Sequence, residues 1–159
     1  MGGHCIPIDP NYLSHNVRTR LGYPFRFVEL AQEINGTMPA YVARRAQNLL
    51  NADGLALRGA AVLLLGVTYK ANIADQRESP ATPLAEQLAT LGAVVSYHDP
   101  YVRSWHVPRT DDLEGGVAAA DLVILVQPHR DYDADRLARI AKRFFDTRGV
   151  TSVPEAHRL

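Results

Sequence analysis

The residues best suited to chemistry lie at the front of the chain. Gly2-Gly3-His4-Cys5 sets two residues without a Cβ before a thiol, and Asp9 follows four positions later. Glycines let a backbone come close to a ligand. A cysteine is a strong nucleophile when a positive neighbour or local donors lower its pKa. Asp9 is near enough, in a compact turn, to help position a water. The plainer account is a small buried thiol beside a surface histidine. One cysteine and scattered histidines make no metal-ligand set, and a redox thiol would lack a resolving cysteine. A second group comprises Lys70, Asp75 and Arg77. Lysine and arginine at the carboxyl end of a central strand, just before a helix N-terminus, suit a phosphate. A solvated charged loop has the same composition. Asp99, at the end of a later strand and before Pro100, could bind a ribose hydroxyl but reads more readily as a turn residue.

These groups need a scaffold. The chain has 159 residues, a length for one domain or one domain plus a helical arm. Hydrophobic residues are 47% and charged residues 21%, ordinary for a soluble globular protein. Seventeen basic side chains balance seventeen acidic ones. That removes the long-range positive field of a non-specific nucleic-acid or anionic-membrane binder. No apolar run approaches the ~20 residues of a bilayer span, and the first residues lack the basic start and apolar stretch of a signal peptide. The single cysteine fits a reducing, cytoplasmic setting.

Along the chain, residues 2–20 read as loop, because Pro7, Asp9 and Pro10 favour turns. Phe27, Val28, Ala31 and Ile34 recur at helical spacing. Gly36 punctuates that run, and Thr37 with Pro39 predicts a second helix, with Val42, Ala46, Leu49 and Leu50 as its apolar stripe. Two such helices need a partner surface, either their own domain or a second copy. Residues 60–67 form a continuous apolar run, as a central parallel strand buried on both faces does. Ser79-Pro80 then starts a helix that Gly92 stops. Val94–Tyr97, Leu122–Val126 and Phe144-Phe145 predict three further strands. Leu113–Ala120 and Asp133–Arg143 predict two helices, the latter with Leu137, Ile140 and Ala141 inward. Residues 152–159 read as a loose tail. Strands alternating with helices imply an α/β fold, a Rossmann-like doubly wound parallel sheet with right-handed crossovers. A dinucleotide site by the usual route would show G-x-G-x-x-G after the first strand; here Gly66 is followed by Val67-Thr68-Tyr69-Lys70 and no second glycine.

Several motifs, in order, carry a resemblance. Gly2 to Leu13 resembles the catalytic cysteine loop of the UDP-glucose/GDP-mannose dehydrogenase family, and His4 before Cys5 is similar to its UDP-N-acetyl-hexosamine 6-dehydrogenase branch. Glu29–Asn35 and Met38–Val42 resemble the family's central dimerisation helix. Leu65–Lys70 and Asp75–Ala81 resemble the start of its UDP-binding domain, and Tyr97–Pro100 and Asp146–Arg148 fit its later strands. The chain departs from that branch at Asn72 and Ala74, where acidic residues are usual.

The resemblance implies a helical dimerisation arm ahead of a UDP-binding α/β domain. It divides the chain into a catalytic-loop remnant (1–21), dimerisation helices (22–55), a UDP-sugar domain (58–150) and a tail (151–159). It implies oxidation of the C6 alcohol of a UDP-sugar to a carboxylate with two NAD, in polysaccharide biosynthesis. Cys5 would attack the intermediate aldehyde, and the thiohemiacetal would be oxidised to a thioester that water hydrolyses. Asp9 would assist water or proton movement. Gly2, Gly3 and His4 would line the sugar site, Tyr69 and Lys70 would hold the UDP-sugar, and Arg77 would reach NAD. The family's N-terminal NAD-binding domain has no counterpart in these residues. The chain is therefore expected to be a C-terminal portion, inactive alone, with a homodimer formed through residues 25–53. The competing expectation is a stand-alone UDP-binding or dimeric interaction module.

Overall fold

The computed structural model describes residues 5–23 and 25–159, with side chains from residue 12 onward. The chain divides after Met38 into two compact units. The first contains α1 (Cys5–Leu21) and the start of α2 (Arg26–Ala52). The stretch expected to be loop is thus helical. Pro7 falls in the first turn, where a missing N–H is harmless, and no proline or glycine interrupts residues 11–21. Gly22, at φ +74°, ends the helix with its N–H on the Arg18 carbonyl. Arg18 pairs with Glu29 at 2.7 Å on the surface. Large apolar side chains of this unit face outward: Phe27 is 75% exposed, and Leu30 and Ile34 are also exposed.

Gly36 and Pro39 do not divide α2 into two helices as expected. Thr37 does not cap. It stays in the helix and donates its hydroxyl to the Ile34 carbonyl at 2.7 Å, the back-bonding typical of mid-helix threonine.

In the second unit, β1 (Ala61–Leu65), β2 (Val94–His98), β3 (Leu122–Leu125), β4 (Phe144–Asp146) and β5 (Ala156–Arg158) form one sheet. The order is β2-β1-β3-β4-β5 and every pairing is parallel. The register sets Leu65 beside His98 on one side and Leu125 on the other. Three helices join the carboxyl half of α2: α3 (Ala81–Thr90), α4 (Leu113–Ala119) and α5 (Ala134–Ile140). Val62 and Leu64 belong to a core shared with Ala46 and Leu50 of α2 and Leu84 and Leu88 of α3. Leu63 and Leu65 belong to a second core with Val117 of α4 and Leu137 of α5. The fold is therefore a three-layer, doubly wound α/β sheet. Each fully buried leucine contributes about 1.5–3 kcal/mol.

Local signals explain the helix ends. The Ser79 hydroxyl accepts from Ala81 N–H at 3.2 Å. Gly92, at φ +92°, ends α3 in a Schellman arrangement, its own N–H on Ala89 and that of Ala93 on Leu88. Asp112 and Asp133 cap α4 and α5 through Gly115 and Arg136 N–H. Two expectations fail. The inward residues of α5 are Leu137 and Ala138, with Ala141 just past its end packed on the same core as expected, while Ile140 is exposed. The supposed loose tail holds β5, with Thr151 and Val153 buried. The outer side of β2 is bridged at Tyr97, whose N–H bonds Pro108 and whose carbonyl receives Thr110 N–H.

Candidate functional site

From β1 the chain winds to β2 on one side, and the sheet continues through β3 on the other. Ligands of open α/β sheets bind outside the carboxyl ends of strands at such a reversal. Here that position falls at the loop after β1 (residues 66–80) and the loop after β3 (residues 126–133), which pack against each other. Gly66, at φ +74°, makes their approach possible: a Cβ there would sit 2.1 Å from the Gln127 carbonyl oxygen. The space beside this glycine is filled by the neighbouring loop.

The loop after β1 is tied down along its length. Tyr69 N–H bonds the Asp75 carbonyl at 2.8 Å, the Thr68 hydroxyl donates to the Lys70 carbonyl at 2.8 Å, and the Gln127 amide donates to the Tyr69 carbonyl at 3.0 Å. Asn72 and Glu78 adopt positive φ, +66° and +57°, a conformation most side chains avoid and asparagine tolerates. Asn72 N–H donates to His129 Nδ1 at 2.8 Å, and Asn72 Oδ1 accepts from Arg130 N–H at 2.8 Å.

His129 is fully buried beside Asp99, its Nε2 3.0 Å from Asp99 Oδ2. The same Oδ2 accepts from Val67 N–H at 2.7 Å, and Oδ1 accepts from the N–H groups of Tyr101 and Val102. Burial pushes the Asp99 carboxyl up, but the hydrogen bonds from His129, Val67 and Tyr101 outweigh it and hold the group below its usual range. Since Nδ1 accepts from Asn72 N–H, the ring N–H is the one on Nε2, which faces Asp99 Oδ2. Next to it, the Tyr132 hydroxyl donates to the His98 carbonyl at 2.8 Å and receives His98 Nδ1–H at 3.1 Å. Burial pushes His98 down and Tyr132 strongly up, so both stay neutral.

Among the sequence candidates, Tyr69 is half-buried and Lys70 exposed, side by side on this loop. The Arg77 side chain is 80% exposed. It bonds Asp75 through both Nε and Nη2, at 3.0 and 2.8 Å, and this pairing raises its pKa. Gly2, Gly3 and His4 lie outside the described residues; Cys5 and Asp9 fall within α1, their side chains outside the description. Asp99 is the turn residue expected, and its burial closes it to a ribose. His129, Gln127 and Tyr132 escaped the sequence reading. The one available signal was a histidine four residues past a fully apolar strand.

A family model described as the UDP-glucose/GDP-mannose dehydrogenase family, UDP binding domain, matches residues 63–153. The UDP-N-acetyl-D-mannosamine dehydrogenase of Methanocaldococcus jannaschii is 30% identical over 146 residues, covering 90% of this chain and 32% of the relative. That of Pyrococcus horikoshii is 32% identical over 142 residues, covering 89% and 32%. The chain thus spans about a third of the length of these relatives. The solved UDP-D-ManNAc dehydrogenase of P. horikoshii superposes with a TM-score of 0.79 at 28% identity, over 97% of this chain and 36% of that one. An NDP-N-acetyl-D-galactosaminuronic acid dehydrogenase from Methanosarcina mazei superposes at 0.83 with 26% identity, over 99% and 38%. Sequence and fold agree, and the chain belongs to the UDP-glucose/GDP-mannose dehydrogenase family.

Proposed function

We propose that this chain supplies the C-terminal, UDP-sugar-binding portion of a cytoplasmic nucleotide-sugar 6-dehydrogenase. The observation that carries the reading is the family match over residues 63–153, because it takes in the loop at the sheet's reversal point. On that loop Tyr69 and Lys70 hold the UDP-sugar, with the Lys70 ammonium against phosphate oxygens. Residues 1–21 bring the sugar to Cys5, whose thiolate adds to the carbon of a C6 aldehyde. Asp9 assists the water or proton movement that follows, and Gly2, Gly3 and His4 line the sugar. The UDP-sugar domain takes in residues 58–150 and extends through β5, the last strand of the same sheet.

The present residues do not fit NAD by the usual route. Gly66 has no glycine partner, and the space beside it is taken by Gln127. Arg77 remains the residue assigned to reach NAD, and no step of hydride transfer is placed on this chain.

Within residues 22–55, expected as dimerisation helices, the carboxyl half of α2 packs on the sheet, and the part before Met38 serves as the dimerisation arm. Phe27, Leu30 and Ile34 fall within about 60° of arc on one helix face and are exposed. Such a stripe suits a second copy of the same helix.

Calorimetric titration of the chain with UDP tests the reading. Saturable binding weakened about tenfold by Lys70→Ala is expected; no heat at millimolar UDP overturns it. Sedimentation should give a dimer that Phe27→Glu dissociates. A dimer with no response to UDP would favour the interaction module instead. NAD reduction by the chain alone would contradict the assignment of hydride transfer elsewhere.

A further inference from the structure

We infer that the buried His129–Asp99 pair is the device that positions the loop carrying Tyr69 and Lys70, and that it acts through one tautomer of His129. The inference deepens the UDP-sugar reading and rests on it for its link to the ligand. Three segments meet at this pair. Asp99 comes from the end of β2, Val67, Thr68 and Asn72 from the loop after β1, and His129 from the loop after β3. The ring joins them in one sense only. Nε2–H points to Asp99 Oδ2, with the Thr68 hydroxyl also at 3.3 Å, and the Nδ1 lone pair receives Asn72 N–H. That bond, with Arg130 N–H on Asn72 Oδ1, clamps Asn72 at its positive φ from two sides. Asn72 is two residues beyond Lys70, and Lys70's carbonyl is itself held by Thr68.

A histidine that merely filled the core would need neither a fixed tautomer nor a partner on a strained loop residue. Here the donor side faces a carboxylate that cannot donate, and the acceptor side faces a main-chain N–H that cannot accept. The opposite tautomer would set N–H against N–H and leave Asp99 Oδ2 without its donor. The pair therefore fixes where the loop turns, and through it where Tyr69 and Lys70 stand. His129 touches no ligand in this account and is a positioning residue.

Two substitutions separate the halves of the ring. His129→Asn puts an amide oxygen near the place of Nδ1 and keeps the acceptor for Asn72. His129→Gln puts its amide near the place of Nε2 and keeps the contact to Asp99. The expected result is UDP affinity within about threefold of the parent for His129→Asn, and a loss of about tenfold for His129→Gln. The order should hold even if both variants melt at the same lower temperature. Affinities that fall equally, or that simply follow melting temperature, overturn the inference. If the parent itself fails to bind UDP, the functional reading fails, and hydrogen exchange at the Asn72 amide decides the positioning alone. Protection kept in His129→Asn and lost in His129→Gln supports it; equal protection in both overturns it. Should neither variant fold, long-range 1H–15N spectra of the unmodified chain read the ring directly. A neutral His129 protonated on Nε2 supports the inference, and any other form at neutral pH overturns it.

Discussion

Asp99, at the end of β2, and Asp146, at the end of β4, are both fully buried and both accept from four donors. Both are held below the usual carboxylate range against the burial that would raise them. They differ in where the donors come from. Those of Asp146 are the N–H groups of Arg148, Gly149 and Thr151 and the Thr151 hydroxyl, all within five residues. Those of Asp99 come from its own turn, from the loop after β1, and from a histidine after β3. The first carboxylate folds a turn; the second ties three segments together at the candidate site. A buried charge thus reports on function through the sequence distance of its partners more than through its depth.

The comparison can be broken in stages. The largest effect should come from Gly66→Ala, where a Cβ meets the Gln127 carbonyl at a left-handed backbone position. It should cost about 4 kcal/mol of unfolding free energy by chemical denaturation, and UDP binding should go with it. Asp146→Asn comes next, at about 3 kcal/mol, because an amide turns a donor towards N–H groups that need an acceptor. The folded fraction of that variant should bind UDP as the parent does. Asp99→Asn should cost a similar amount but also weaken UDP binding about tenfold; equal binding by both variants would erase the distinction.

Acid should expose what the two carboxylates share. Their folded pKa values lie below the ordinary 3.8, so the stability they add is complete above that value and is lost as pH falls through the folded one. Melting temperature should hold from pH 6 to about 4 and then drop steeply, with a shallower drop in Asp146→Asn. The smallest effect belongs to Arg77→Ala. Its pair with Asp75 is exposed and screened by solvent, so the melting temperature should stay that of the parent.

The sheet was legible because its signals are local and apolar. Runs such as Leu122–Val126 can only be buried on both faces, and Ser79, Gly92, Asp112 and Asp133 mark helix ends by their own chemistry. The failures have local causes too. A threonine before a proline resembles a cap, but Thr37 bonds backwards and the helix continues. β5 was missed because Ala156–Arg158 is a short edge strand whose apolar content is one alanine. Tyr69 and Lys70 are proposed from position and motif alone. The His129–Asp99–Asn72 connection could not, because it joins residues 30 and 57 positions apart through a ring orientation that no spacing encodes.

The bridge that Pro108 and Thr110 make to Tyr97 bears on solubility. An unpaired strand at the rim of a sheet is a template for another chain, and open rims lead to ordered aggregates. β2 is one rim of this sheet, and its free side is occupied at Tyr97 by its own following segment. The opposite rim, β5, is three residues long and offers little ladder to extend. Growth by strand addition is therefore hindered at one margin by the Tyr97 bridge and short at the other. Self-association of this domain is left to side-chain surfaces, where its stoichiometry can be closed rather than open-ended.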